Sequence, residues 1–174
     1  MTGHKLKLNN LQILKRRYKL ETVDPDARIA DLVGLLHVLN HLFDDRTDLF
    51  ELEKEMEVDI DDLMPIVYTA ANLGFVGTDQ GDIWITDKGK TFLVSGPKIR
   101  KSILKASLIT MEPFVTALRL VKFDLDDIME ELEKNGIQKY NNPSGLHNLE
   151  ITLIEWGVYS GLIKKDDDGF QALA

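Results

Sequence analysis

The chain has no cysteine. Disulfides and thiolate chemistry are therefore excluded, and an intracellular, reducing home is expected. No apolar run approaches the ~18–20 residues that a membrane-crossing helix needs. The N-terminal stretch is basic but lacks the continuous apolar core of a signal peptide, so the expected location is cytoplasmic. A Gly-rich phosphate loop followed by Lys-Ser/Thr is also missing, so ATP hydrolysis by this chain is not expected. One absence is local. From Asp61 to Leu73, a stretch that patterns as a helix, there is no Lys or Arg. A helix that enters a DNA groove needs such residues to read guanine or hold phosphate.

The 174 residues are 44% hydrophobic, which is too apolar for disorder and enough for one ordinary domain or two small ones sharing an interface. The net charge of −8 is unevenly spread. Residues 1–27 are net basic through Lys5, Lys7, Lys15, Arg16, Arg17 and Lys19. Residues 28–96 are strongly acidic, and residues 97–174 are nearly balanced. Binding dominated by phosphates requires a basic face, and the module best patterned for DNA is the most acidic part of the chain.

Within the basic lead-in, Leu11, Leu14 and Tyr18 fall at i, i+3, i+7, which predicts a short helix ahead of Pro25. The next helix is predicted over Arg28–Phe43, with Ile29, Leu32, Val33, Leu36, Asn40 and Phe43 on one face, flanked by Leu35, Leu39 and Leu42. Asp44–Thr47 reads as a loop. A second helix starts at Asp48 and ends near Met56. A third starts near Asp61, whose carboxylate suits the free N–H groups of a first turn, and turns Leu63, Ile66, Val67 and Ala70 inward. Gly74 ends it, because glycine adopts the left-handed cap without a Cβ penalty. Phe75–Thr78 and Ile83–Thr86 form a hairpin around Asp79–Asp82, and Lys88–Val94 is a short helix.

The second half repeats the plan. Helices are expected over Lys98–Leu108, Pro113–Val121 and Leu125–Asn135, the last capped by Asp124. A long helix is expected from Ser144, as cap, to Ser160, ended by Gly161. A second hairpin follows around Asp167–Gly169. Leu73-Gly74-Phe75-Val76 and Ser160-Gly161-Leu162-Ile163 are matching pieces. The predicted fold is mainly α with small β-hairpins, an α+β tandem winged helix-turn-helix. Its parts are a lead-in (1–27), a first module (28–96) and a second, winged-helix-like module (97–174). A single winged helix with a helical appendage is the alternative.

Asp48-Leu49-Phe50-Glu51-Leu52, Asp61-Asp62-Leu63-Met64-Pro65-Ile66-Val67, Leu73-Gly74-Phe75-Val76, Gly81-Asp82-Ile83, Thr86 and Gly89 together resemble the AAA-associated C-terminal domain. So do Glu155-Trp156-Gly157 and Tyr159 ahead of an acidic hairpin. The resemblance covers roughly residues 28–174 and is diffuse, with no catalytic signature. Val158 departs from it, where the family commonly carries Arg. Members stand behind the ATPase subunit of nitrate-, sulfonate- or bicarbonate-type ABC transporters, or alone in archaea. The resemblance implies an accessory or regulatory module beside an ATPase.

Candidate sites follow from spacing. The outward face of the third helix shows Met64, Tyr68 and Asn72, a candidate protein contact, with a solvated acidic face as the plain reading. Lys98, Lys101 and Lys105 form a basic stripe that either holds an acidic partner or is solvated. His37, His41 and Asp44 have ligand spacing on one helix, but with no fourth convergent ligand no metal is expected. Glu130, Glu131 and Glu133 read as a solvated face and Asp166–Gly169 as a turn, without the ligand alternation of a calcium loop. Gly74, Gly161 and Trp156 are structural. No catalytic residue and no cofactor are expected. The expected partner is a protein, such as a transporter ATPase or a second copy, with nucleic acid disfavoured. A DNA-binding regulator using the basic segments, and a small-ligand sensor with a pocket between the modules, are the alternatives.

Overall fold

In the computed structural model of the chain the described residues are 21–173. The lead-in helix predicted over about 9–20, with His4, lies outside them. The fold is α+β, helices with two small antiparallel sheets.

Helix α1 (Ile29–Leu42) is the central element of the first half. Leu32, Leu35, Leu36 and Leu39 are fully buried, whereas Leu42 is exposed. Leu35 and Leu39, which the prediction placed at the flanks of the face, are thus as deeply buried as Leu32 and Leu36. The chain then turns through Asp44 and Asp45, both with positive φ, into strand β1 (Arg46–Asp48). Half of the predicted loop is thus strand. Arg-Thr-Asp carries no apolar alternation, so only its pairing with β3 makes it one.

Asp48 caps helix α2 (Leu49–Met56), its Oδ1 accepting the Glu51 N–H at 2.8 Å. Helix α3 (Ile60–Asn72) starts earlier than predicted. Asp59 holds the cap position, without a side-chain bond, and Asp61 lies in the first turn, where its charge favours the helix dipole. Strands β2 (Val76–Asp79) and β3 (Asp82–Ile85) form the hairpin. Its two turn residues, Gln80 and Gly81, both have positive φ, matching the twist of the flanking strands. The sheet order is β1-β3-β2.

Helix α4 (Asp87–Val94) is capped by Thr86, whose Oγ1 accepts the Gly89 N–H at 3.1 Å and donates to the Gly74 carbonyl at 2.6 Å. A Cβ at Gly89 would stand 2.2 Å from the Phe75 carbonyl oxygen, so only glycine fits there. Helix α5 (Pro97–Leu108) leads into the second half.

There helix α6 (Phe114–Leu120), β4 (Lys122–Phe123), helix α7 (Leu125–Lys134), helix α8 (Gly145–Thr152), β5 (Ile163–Asp166) and β6 (Gly169–Ala172) repeat the element order of the first half. The sheet order is again equivalent, β4-β6-β5. Asp124 caps α7 as predicted, in a reciprocal pair with Asp127 at 2.8 and 2.9 Å. Two expectations fail at α8. Ser144 makes no side-chain cap bond, and the helix does not run on in α geometry. It widens into a π-helical turn over Leu153–Val158, where the Tyr159 N–H reaches back five residues to the Ile154 carbonyl at 3.2 Å.

Gly74 and Gly161 end their helices alike, with φ of +84° and +79°. In each case the next residue's N–H returns five residues, Phe75 to Ala70 and Leu162 to Gly157.

One continuous core runs through both halves. Residues 21–28 thread the seam between them, although 21–27 group by sequence with the lead-in. Val23 and Ala27 are fully buried. Toward the second half, the Val23 N–H donates to the Glu112 carbonyl at 2.8 Å, and the Tyr140 hydroxyl donates to the Val23 carbonyl at 2.8 Å. Toward the first half, the Asp24 N–H donates to Thr69 Oγ1 at 3.1 Å.

Candidate functional site

The outer face of α3 and the β2–β3 hairpin enclose an open groove of about 500 Å³. The 3.6-residue period sends Leu63, Ile66, Val67 and Ala70 into the core and leaves Met64 and Tyr68 outside, at 38% and 37% exposure. Leu49, Val67 and Ala71 form the apolar floor, and Asp79 and Asp82 stand at the hairpin rim. Asn72 also lines the groove. Its Nδ2 is buried and has no hydrogen-bond partner among the described residues, although such groups are normally paired. The structure thus brings Met64, Tyr68 and Asn72 into one groove.

Two features of this groove come from elsewhere in the chain. Lys139 of the second half places its Nζ 4.3 Å from the centre of the Tyr68 ring and 3.8 Å from Asp24 Oδ2. From β1, Arg46 lies over the Trp84 ring of the hairpin at 4.6 Å and pairs with Asp82 at 3.1 Å. A Cβ at Gly77 would collide with Trp84, so that ring lies across the neighbouring strand.

The basic stripe lies along α5. Lys98 and Lys101 are exposed, Lys105 is half-buried, and none of the three is in an ion pair among the described residues. Lys101 Nζ lies 5.2 Å from the Tyr159 ring centre. Neighbouring Arg100 serves the fold, its guanidinium donating to the Phe92 carbonyl at 2.9 Å and to that of Leu93 at the end of α4. Lys88 likewise donates to the Leu73 carbonyl at the end of α3, at 2.7 Å, and desolvation lowers its pKa.

His37 and His41 bring their rings within 4.4 Å on α1, while Asp44 lies beyond the helix in the turn. Among the described residues no group of three or more His, Cys, Asp or Glu side chains is placed to hold a metal. Glu131 pairs with Arg119 at 3.8 Å and with Lys134 at 3.5 Å.

Contacts without a sequence signature hold the halves together. Glu155 Oε1 accepts the Ile29 N–H at 2.7 Å and so caps α1 from the opposite half. The Trp156 indole N–H donates to the Ala27 carbonyl at 3.2 Å, with the side chain fully buried. Within the second half, a Cβ at Gly157 would stand 2.7 Å from the Phe114 ring, so that turn packs closely on α6. The one available hint is negative: α1 begins after Arg28, which is a poor cap, so its free N–H groups needed a distant acceptor. Glu112 also escaped the sequence reading. It is 2% exposed, and its carboxylate accepts the Thr116 N–H at 3.2 Å. Burial pushes its pKa up, against the opposing pull of Thr116 and Arg119.

Residues 50–166 match the family model of the C-terminal AAA-associated domain. The chain belongs to that family. The match covers about two thirds of the chain, from α2 to the end of β5, and so includes Lys139, the Glu155-Trp156-Gly157 turn and, apart from Leu49, the α3–hairpin groove. No curated protein and no solved structure matches the chain. Among the described residues, no helix of this C-terminal AAA-associated domain is long and apolar enough to cross a membrane.

Proposed function

We propose that this chain is a non-enzymatic regulatory or assembly module of two tandem winged helices. It works by protein–protein contact on the cytoplasmic side of a transporter, with an ABC-type ATPase subunit as partner. The groove between α3 and the first hairpin carries this reading. It exposes Met64 and Tyr68 over an apolar floor and includes the unpaired Asn72 amide. A partner would set an apolar side chain on Met64 and Tyr68 and a basic group near Asp79 and Asp82. Membership of a family named for its association with AAA ATPases supports the choice of partner.

DNA has less support, because the exposed side of α3 is acidic and the hairpin tip bears Asp79 and Asp82. The sensor reading requires a pocket at the seam, and the seam is packed with Val23, Tyr140 and Trp156.

The test is a calorimetric titration of the chain into the purified ATPase subunit of a nitrate-type ABC transporter. Binding is expected, and Tyr68→Ser with Met64→Gln should weaken it by about 30-fold or more, as for a buried aromatic anchor. Thermal stability should change little. Unaltered affinity in the double variant would remove this surface from consideration, and no binding by the parent would remove the partner.

A further inference from the structure

The opposite flank of α3 carries a second groove, of about 380 Å³, beside the first turn of the helix. Met56, Val58 and Pro65 lie half-buried along it, over Leu63 and Ile66 of the core. Asp26, Asp31, Asp61 and Asp62 stand at its rim, all exposed, and no basic residue lines it. None of these four carboxylates is in an ion pair among the described residues. An apolar floor inside a rim of open acids is complementary to a surface that is both apolar and basic.

Helix α5 presents such a surface. The 3.6-residue period sets Lys98, Ser102, Ala106 and Ile109 in one row along it, all exposed, with Ile99 on one side of the row and Lys101 on the other. Ile99 and Ile109 are 56% and 46% exposed, more than Met64 or Tyr68 in the first groove. The small Ser102 and Ala106 between them leave room for a close approach. Among the described residues no ion pair joins this face to the acidic groove within one chain, so each stands open to another chain.

We propose that the chain self-associates by seating α5 of one copy on the acidic α3 groove of a second copy. Ile99 then covers Met56, Val58 and Pro65, and Lys98 and Lys101 meet the rim at Asp61 and Asp62. In a helix laid on a groove, apolar anchors supply affinity and the charges fix orientation. The two surfaces differ, so the contact either closes reciprocally in a two-fold dimer or continues from copy to copy. The ATPase partner proposed above uses the other flank of α3, and the self-association does not depend on it. Because the rim charges are exposed, the contact weakens as salt is raised.

Analytical ultracentrifugation of the full chain over a range of concentrations tests it. The parent should self-associate with a Kd on the order of 10 μM, at the weak end for a specific interface. A parent that sediments as a monomer throughout the micromolar range would overturn the proposal. Lys98→Glu/Lys101→Glu and Asp61→Lys/Asp62→Lys should each weaken association at least about tenfold, by placing like charges across the contact. The first variant keeps its fold, because acids are favoured near a helix N-terminus. Should the second lose its circular dichroism, Asp26→Lys/Asp31→Lys replaces it on the same rim. An equal mixture of the two reversed variants should associate again, since every contact between them pairs unlike charges. Glu130→Lys/Glu133→Lys, on the exposed side of α7, makes the same change in net charge as the aspartate variant and should leave association unaltered. Undiminished association in the Lys98/Lys101 variant, or a mixture that stays dissociated, would show that these two surfaces do not meet.

Discussion

Helix α3 in the first half and α8 with its π-turn in the second occupy the same place in the same element order, between equivalent helices and hairpins. Thr69 and Trp156 each lie five residues before the glycine that ends their helix, and both bond the strap at residues 21–28. The two helices nevertheless serve different ends. α3 remains in α geometry and leaves Met64 and Tyr68 on an open groove. α8 widens by a π-turn, which lets Glu155 and Trp156 reach Ile29 and Ala27 while Gly157 packs on Phe114 and Ile163. One copy of the repeated plan is closed onto its neighbour, and the other is left available. A duplicated topology thus yields a clasp and an open groove from one architecture.

The comparison breaks most forcefully at the clasp. Trp156→Ala should destabilise the chain by about 3–5 kcal/mol, the range for truncating a buried aromatic ring. Glu155→Ala removes the α1 cap and a long ion pair with Arg28 at 3.9 Å, and should cost about 0.5–2 kcal/mol. Urea unfolding followed by far-UV circular dichroism measures both. If Trp156→Ala leaves the transition unchanged, the seam contributes nothing and the halves are independent.

A smaller effect sharpens the equivalence of the two helix ends. Gly74→Val and Gly161→Val each force a β-branched residue into left-handed backbone, at about 1–2 kcal/mol or more. The two losses should agree within about 1 kcal/mol, because the hydrogen-bond patterns agree and neither site is overcrowded. Lowered thermal midpoints in both variants are expected, and a loss in one alone would break the parallel.

The smallest effect depends on pH. Burial holds the Glu112 carboxyl above its ordinary value of 4.5. The folded state therefore binds the proton more tightly than the unfolded state does. The contribution is fully present below the ordinary value and is lost as pH rises through the raised one. A glutamine side chain at this position cannot ionise, and its oxygen still accepts the Thr116 N–H. Glu112→Gln should therefore melt higher than the parent at neutral pH, with the gap closing as the pH is lowered below 4.5. A gap that stays constant with pH would show that this carboxylate is not strained by burial.

What could be read in advance was local. The apolar period of α3 identified Met64, Tyr68 and Asn72 as one outward row, Asp124 was legible as a cap, and Gly74 and Gly161 as stops. Those features depend on residues a few positions apart. The features that escaped notice depend on distant partners. β1 and β4 are strands only because β3 and β6 pair with them. Ser144 has a capping side chain but makes no cap bond, whereas α1 takes its cap from Glu155, 126 positions away. Lys139 reaches Tyr68 across the seam, and the groove floor at Leu49 belongs to another helix. The lead-in ended by charge at residue 27, yet Val23 and Ala27 are core, because the burial of a short strap between two modules leaves no periodic trace.

The division between clasp and contact face is tested most directly by hydrogen–deuterium exchange of the full chain, alone and with saturating ATPase subunit. The account predicts slowed exchange at residues 64–72 and 78–82 on binding, with residues 153–163 protected equally in both samples. Protection gained at 153–163 while 64–72 and 78–82 stay unchanged would contradict it.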